Sequence, residues 1–138
     1  MKKALVILVI LFTLQLSAQD NIHWETDYKV ALSQAKAQNK FILVYVFDDS
    51  AIKDNTNLER LFFSSDDVKT LLPKVILLKL DVSDALSYNA RLGKHYLNKR
   101  STSGVVLVNQ NNNTVGLPLI DFNTSARATF MSLLNSKL

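Results

Sequence analysis

Hydrophobic and polar residues change rhythm several times along this chain, and each change marks an element. From Thr26 the segment TDYKVALSQAKAQNK places Tyr28, Ala31, Leu32, Ala35 and Ala37 on one side at helical spacing, with Thr26 or Asp27 available as a cap. Lys40 to Phe47 then runs almost without a polar break through β-branched and aromatic types, the pattern of a strand buried on both faces. Val75 to Val82 has the same pattern. Between them, DNTNLERLFFSSDDVKTLLPK is helical by the spacing of Leu58, Leu61 and Phe62 and of Val68, Leu71 and Leu72. Two buried strands joined by a helix predict a right-handed parallel βαβ unit.

The second half alternates differently. Ser83 or Asp84 is placed to cap a helix through DALSYNARLGKHYL, and GVVLVNQNNNTVGLPLI reads as a β-hairpin, two apolar runs around an asparagine-rich turn. Asparagine tolerates left-handed backbone, so this turn does not need glycine. Pro118 has no amide hydrogen for a ladder, which puts the second strand of the hairpin at a sheet edge. Asn123 to Leu138 forms a closing helix with Ala126, Phe130, Leu133 and Leu134 facing inward. Trp24, Tyr45, Phe62, Phe63 and Phe130 fall at element spacing as core aromatics. With 138 residues, three Gly and two Pro, the chain holds one domain and no repeat or linker.

Residues 1–19 stand outside this pattern. Lys2 and Lys3, the apolar run Ala4 to Leu16, and small Ser17 and Ala18 have the three parts of a secretory signal, and the run is shorter than the roughly 20 residues a membrane span needs. The expectation is a signal peptide over 1–19, cleaved after Ala18 or Gln19, and an exported domain over 20–138, periplasmic or secreted, with no stable membrane insertion. The chain has no cysteine for a lipid anchor or a disulfide. Without the two signal lysines the formal +4 falls to 14 basic against 12 acidic side chains, too even for a nucleic-acid partner. The densest basic stretch, Arg91, Lys94, His95, Lys99 and Arg100, suits a solvated helix end.

Candidate chemistry is sparse. His23 and His95 lack metal-ligand spacing, and no metal or cofactor is expected. Asp48 and Asp49 sit where carboxylates cap a following helix, and Ser50 has no local base to make it a nucleophile. Thr56 to Glu59, T-N-L-E, has the form of a capping box, which would start the helix after Thr56 and leave Ile52 to Asn55 in an exposed loop.

Several segments carry a family likeness. WETDYKVALSQAK matches a helix of the form W-x-x-D-Y-x-x-A-L-x-x-A-K, followed by ILVYVF, LERLFFSSDDV and LKLDVSD. Over about Ile22 to Leu138 the chain thereby resembles exported thioredoxin-like proteins. The resemblance implies a thioredoxin-like α/β fold, with a central four-stranded mixed sheet (a parallel βαβ unit plus an antiparallel hairpin) flanked by helices. It also implies a W-C-x-x-C turn at the end of the first long strand, which falls on Ala51, Ile52, Lys53, Asp54 and Asn55. Both thiols are missing, so no residue here can attack a disulfide or resolve a mixed one. The family's buried strand acid corresponds to Val46 and its cis-proline to Ser103, whose bond to Thr102 is expected to be trans.

No catalytic residue is therefore assigned. The expected function is a redox-inactive module that binds another envelope or secreted protein, or a peptide, at the degenerate corner of Ala51, Ile52, Lys53, Asp54, Asn55 and Ser103. Ile52 and Val105 are candidate apolar contacts. The alternative is a relative of the thiol-disulfide oxidoreductases, acting in cell redox homeostasis through a partner that supplies the cysteines.

Overall fold

The computed structural model describes residues 22–98 and 102–138, so the expected signal segment lies outside the described residues, as do Lys99 and Arg100. Five strands form one mixed sheet: β1 (Trp24–Glu25), β2 (Ile42–Phe47), β3 (Ile76–Asp81), β4 (Gly104–Val108) and β5 (Thr114–Leu119), in the order β1-β3-β2-β4-β5. β2 runs parallel to β3, with Val44 opposite Leu78, and antiparallel to β4, with Val44 opposite Val106. The parallel unit and the hairpin are where the hydrophobic pattern put them. The fifth strand is an addition to the expected four. Trp24 and Glu25 supply it by pairing parallel with Leu77 and Leu78.

The continuous apolar runs of β2 and β3 are explained by two cores, one on each face. On one face Leu43, Tyr45, Leu77, Val105 and Leu107 pack under Leu58, Phe62, Val68, Phe130 and Leu134. On the other, Ile42, Val44, Val46, Leu78, Leu80 and Val106 pack under Ala31 and Ala35 of α1 (Tyr28–Gln38) and Leu92, Tyr96 and Leu97 of a later helix. α1 is capped by Asp27, which accepts from Lys29 and Val30, and ends on Asn39 in the left-handed conformation (φ 51°). Its Ala37 is exposed, so the buried stripe is narrower than the spacing implied.

The segment between β2 and β3 is not one helix. It divides into α2 (Ile52–Asn57), a π-helical turn (Leu58–Phe63), α3 (Asp66–Leu71) and a 3-10 turn (Leu72–Lys74). Ser64 N donates to Glu59 O at 3.1 Å, an i to i−5 bond that widens the chain. Phe62 and Phe63 then diverge, Phe62 meeting Phe130 at 5.6 Å and Phe63 meeting Trp24 at 5.4 Å between ring centroids. Ser65 starts α3 by accepting from Val68 N, with Asp66 and Asp67 in the favourable first turn.

α4 (Tyr88–Leu97) begins later than expected. Asp84 accepts from Leu86 N in a turn, and Ser87, rather than Ser83 or Asp84, caps the helix by accepting from Ala90 N at 3.0 Å. α4 lies close on the sheet because of Gly93: a Cβ there would stand 2.6 Å from Val82 Cγ1 and 3.0 Å from Val46 Cγ1. The Tyr96 hydroxyl donates to Asn112 Oδ1, tying α4 to the hairpin tip, where Asn112 adopts φ 63°. β5 is an outer strand, as Pro118 required. Asn123 caps α5 (Thr124–Lys137) by accepting from Ala126 N at 2.8 Å, and its Phe130 and Leu134 are buried. Among the described residues no helix is long and apolar enough to cross a membrane.

Candidate functional site

β2 ends in a polar corner built from residues far apart in sequence. Asp48 is only 7% exposed, and its backbone N–H donates to the hydroxyl of fully buried Ser103 at 2.9 Å. Its carboxylate Oδ1 accepts from both Ser50 N (2.9 Å) and Ser50 Oγ (2.7 Å), and its carbonyl accepts from Asn55 Nδ2 (2.8 Å). Asn55 Oδ1 in turn accepts from the Tyr45 hydroxyl at 3.2 Å. Thr102 Oγ1 donates to Asp54 Oδ2 at 3.1 Å, and Asp49 N donates to Ser83 Oγ at 3.0 Å, which joins the end of β3 to the corner. The Ser83 hydroxyl and amide also hold the Asp81 carboxyl below the usual carboxylate range.

This network explains two departures from the sequence reading. Asn55 is drawn onto Asp48, and Asn55 N bonds Ala51 O at 2.9 Å, so the chain is already helical from Ile52. The capping box of Thr56 and Glu59 is therefore absent: Thr56 Oγ1 donates back to Ile52 O at 2.9 Å within α2, and Ile52 to Asn55 is a helical turn instead of a loop. Nor do Asp48 and Asp49 cap that helix. No side chain does, and the Asp48 carboxylate closes the turn at Ser50 instead.

The degenerate corner separates into an inner and an outer part. Asn55, Asp54 and Ser103 are engaged in the internal hydrogen bonds, while Ile52, 73% exposed, and Lys53 face solvent beside half-buried Ala51. Val105 is fully buried and offers no surface to a partner. Val46, in the position of the family's strand acid, is core. The Thr102 to Ser103 peptide bond is trans.

Beside this corner, on the α4 side of the sheet, opens a cleft of about 440 Å³. Val46, Val82, Gly93 and Leu97 give it apolar lining; Asp48, Asp49 and Ser50 of the corner and Arg91 and Lys94 of α4 line it as well. Sequence reasoning missed it. Asp48 looked like a surface cap, and the sole local hint was Ser50 two residues on, the spacing of a side-chain-closed turn. Among the described residues no group of three or more His, Cys, Asp or Glu side chains could hold a metal ion. His23 lies 3.1 Å from Glu25, and His95 lies against Tyr96.

A family model described as thioredoxin-like matches residues 23–120. No curated protein sequence matches the chain. Among solved structures, it is similar to a thioredoxin from Thermus thermophilus, at 21% identity and a TM-score of 0.64 over 83% of this chain and 85% of that one. It is similar to the C-terminal domain of DsbD from Neisseria meningitidis in the oxidised form, at 16% identity and a TM-score of 0.64, over 84% of this chain and 100% of that one. A disulphide isomerase from Xylella fastidiosa Temecula1 matches at 18% identity and a TM-score of 0.57, over 78% and 87% of the two chains. At such identities the likeness establishes the fold and leaves the chemistry to the residues, which include no cysteine.

Two expectations follow from the corner. Ser103→Ala strands the buried Asp48 N–H and should cost about 1–3 kcal/mol in denaturant unfolding; an unchanged midpoint would mean that another acceptor replaces the hydroxyl. Burial, with the negative charge of Glu59 behind it, pushes the Tyr45 phenol from 10 up to about 12. The fold thus favours neutral Tyr45, whose contribution to stability is complete below pH 10 and is lost as pH rises towards 12. Over that window wild type should lose stability more steeply than Tyr45→Phe. Equal slopes would assign the loss to Tyr28 and Tyr96, whose phenols burial also pushes upward.

Proposed function

Because the chain belongs to the thioredoxin-like family yet carries no cysteine, we propose that it is an exported, redox-inactive module that binds a protein or peptide partner at the former thiol corner. One observation carries this reading. The polar residues that stand at and behind the thiol positions bond to one another, while on the same helical turn the large apolar side chain of Ile52 is 73% exposed at the open end of the sheet. Internal satisfaction makes the corner rigid without a ligand, and a rigid apolar protrusion contributes contact area at little ordering cost. The partner is expected among envelope or secreted proteins, since the first 19 residues have the composition of an export signal.

Ile52 is the first residue of α2, where an acidic side chain is favoured by the helix dipole. Ile52→Asp should therefore leave the melting temperature nearly unchanged and abolish capture of the protein that immobilised wild type retains from envelope fractions. Capture that is equal for both chains would refute the corner as the binding surface. Export has its own measurement. Mass spectrometry of the chain recovered from the periplasm or medium should show it beginning near Gln19 or Asp20, and a chain retaining Met1 would refute the signal.

A further inference from the structure

The cleft beside the corner has a charge arrangement that a partner's apolar contact with Ile52 does not use. Asp48 is nine-tenths buried, and its Oδ1 is taken by Ser50 N and Ser50 Oγ. Among the described residues its Oδ2 takes no hydrogen bond, and the residue lines the cleft. Arg91 and Lys94, three residues apart on α4 and so on one face of it, line the same cleft. Acid and base do not close on each other. Among the described residues the ion pairs within 4.0 Å comprise His23 with Glu25 alone. Charges of opposite sign thus line one cleft without pairing, in a space within the roughly 300–1,000 Å³ range of small-molecule sites.

Each simpler ligand class leaves something unmet. A lone cation at Asp48 would share the cleft with Arg91 and Lys94, and a lone anion at Arg91 and Lys94 would share it with Asp48 and Asp49. A neutral apolar molecule would strip water from the Asp48 carboxylate and give it no donor. We propose that the cleft binds a small zwitterion, with its ammonium group on Asp48 Oδ2, its carboxylate towards Arg91 and Lys94, and its aliphatic part over half-buried Val82 and Ala90. That chemistry belongs to a free amino acid and to a short peptide with both termini free. The proposal deepens the reading of the corner as a binding module and rests on it, adding a second occupant class beside the surface at Ile52.

The test is an amide NMR titration of the chain 20–138 with trialanine, N-acetyl-trialanine, which keeps only the anion, trialanine amide, which keeps only the cation, and alanine. Trialanine should shift the amides of Asp48 to Ser50 and of Ala90 to Lys94 saturably. Each blocked peptide should bind at least about tenfold more weakly, the loss expected for one charge-assisted contact. Asp48→Asn should weaken trialanine to the same degree and leave N-acetyl-trialanine unaffected; Lys94→Ala, at an exposed position, should weaken trialanine and leave trialanine amide unaffected. Alanine binding as tightly as trialanine identifies the ligand as a free amino acid, and weaker binding identifies it as a peptide. The proposal is overturned if trialanine gives no saturable shift or if the blocked peptides bind equally well. Ile52-dependent capture that persists in that case leaves the binding module standing and removes only the zwitterion.

Discussion

Strand β2 has no free side, and that constraint organises the rest of the molecule. Its backbone is bonded to β3 on one edge and β4 on the other, and both of its faces are covered by helices. A strand so enclosed must be apolar along its length, and it must find a partner for the first backbone group that leaves the ladder. That group is the Asp48 N–H, and its partner is the Ser103 hydroxyl, supplied by the residue just before β4. The corner inherits its position from that bond.

The same economy keeps the polar groups of the corner paired although it carries no cysteine. A pair of thiols would hold the turn through its own redox chemistry; here Asn55 serves as a two-way connector, donating to Asp48 O and accepting from Tyr45. Tyr45 is itself set among Trp24, Phe47 and Phe63, at centroid distances of 6.3, 5.9 and 5.2 Å, with Lys79 Nζ 4.2 Å from the Phe47 ring centroid. The polar turn is therefore anchored through one hydroxyl to an aromatic cluster. The two edge-on pairs, Tyr45 with Trp24 and with Phe47, add about 0.5–1.5 kcal/mol each beyond the area they bury.

What was legible in the sequence was what depends on a residue and its near neighbours. The runs at Ile42 and Ile76 announced strands buried on both faces, Asn112 took a left-handed position in the hairpin turn, and Pro118 fixed its strand to an edge. What was missed depends on partners distant in sequence. Trp24 and Glu25 are extended because Leu77 and Leu78 offer them a ladder. Thr56 lost its capping role because Asn55, one residue earlier, reaches back to Asp48 and Tyr45. The cleft joins Asp48 with Lys94, and no local pattern links positions so far apart. Residues of the expected corner were found at the corner, but the sequence could not tell which of them faced inward.

The two outer strands offer little for a second sheet to extend. β1 is two residues long, and β5 carries Pro118, Gly116 at φ 69° and a register irregularity in its pairing with β4. Neither presents the long, regular row of amide and carbonyl groups on which a second sheet could grow. Edge-to-edge stacking into fibrils is thereby discouraged by the backbone itself, even though Leu117 is 80% exposed on the outer strand.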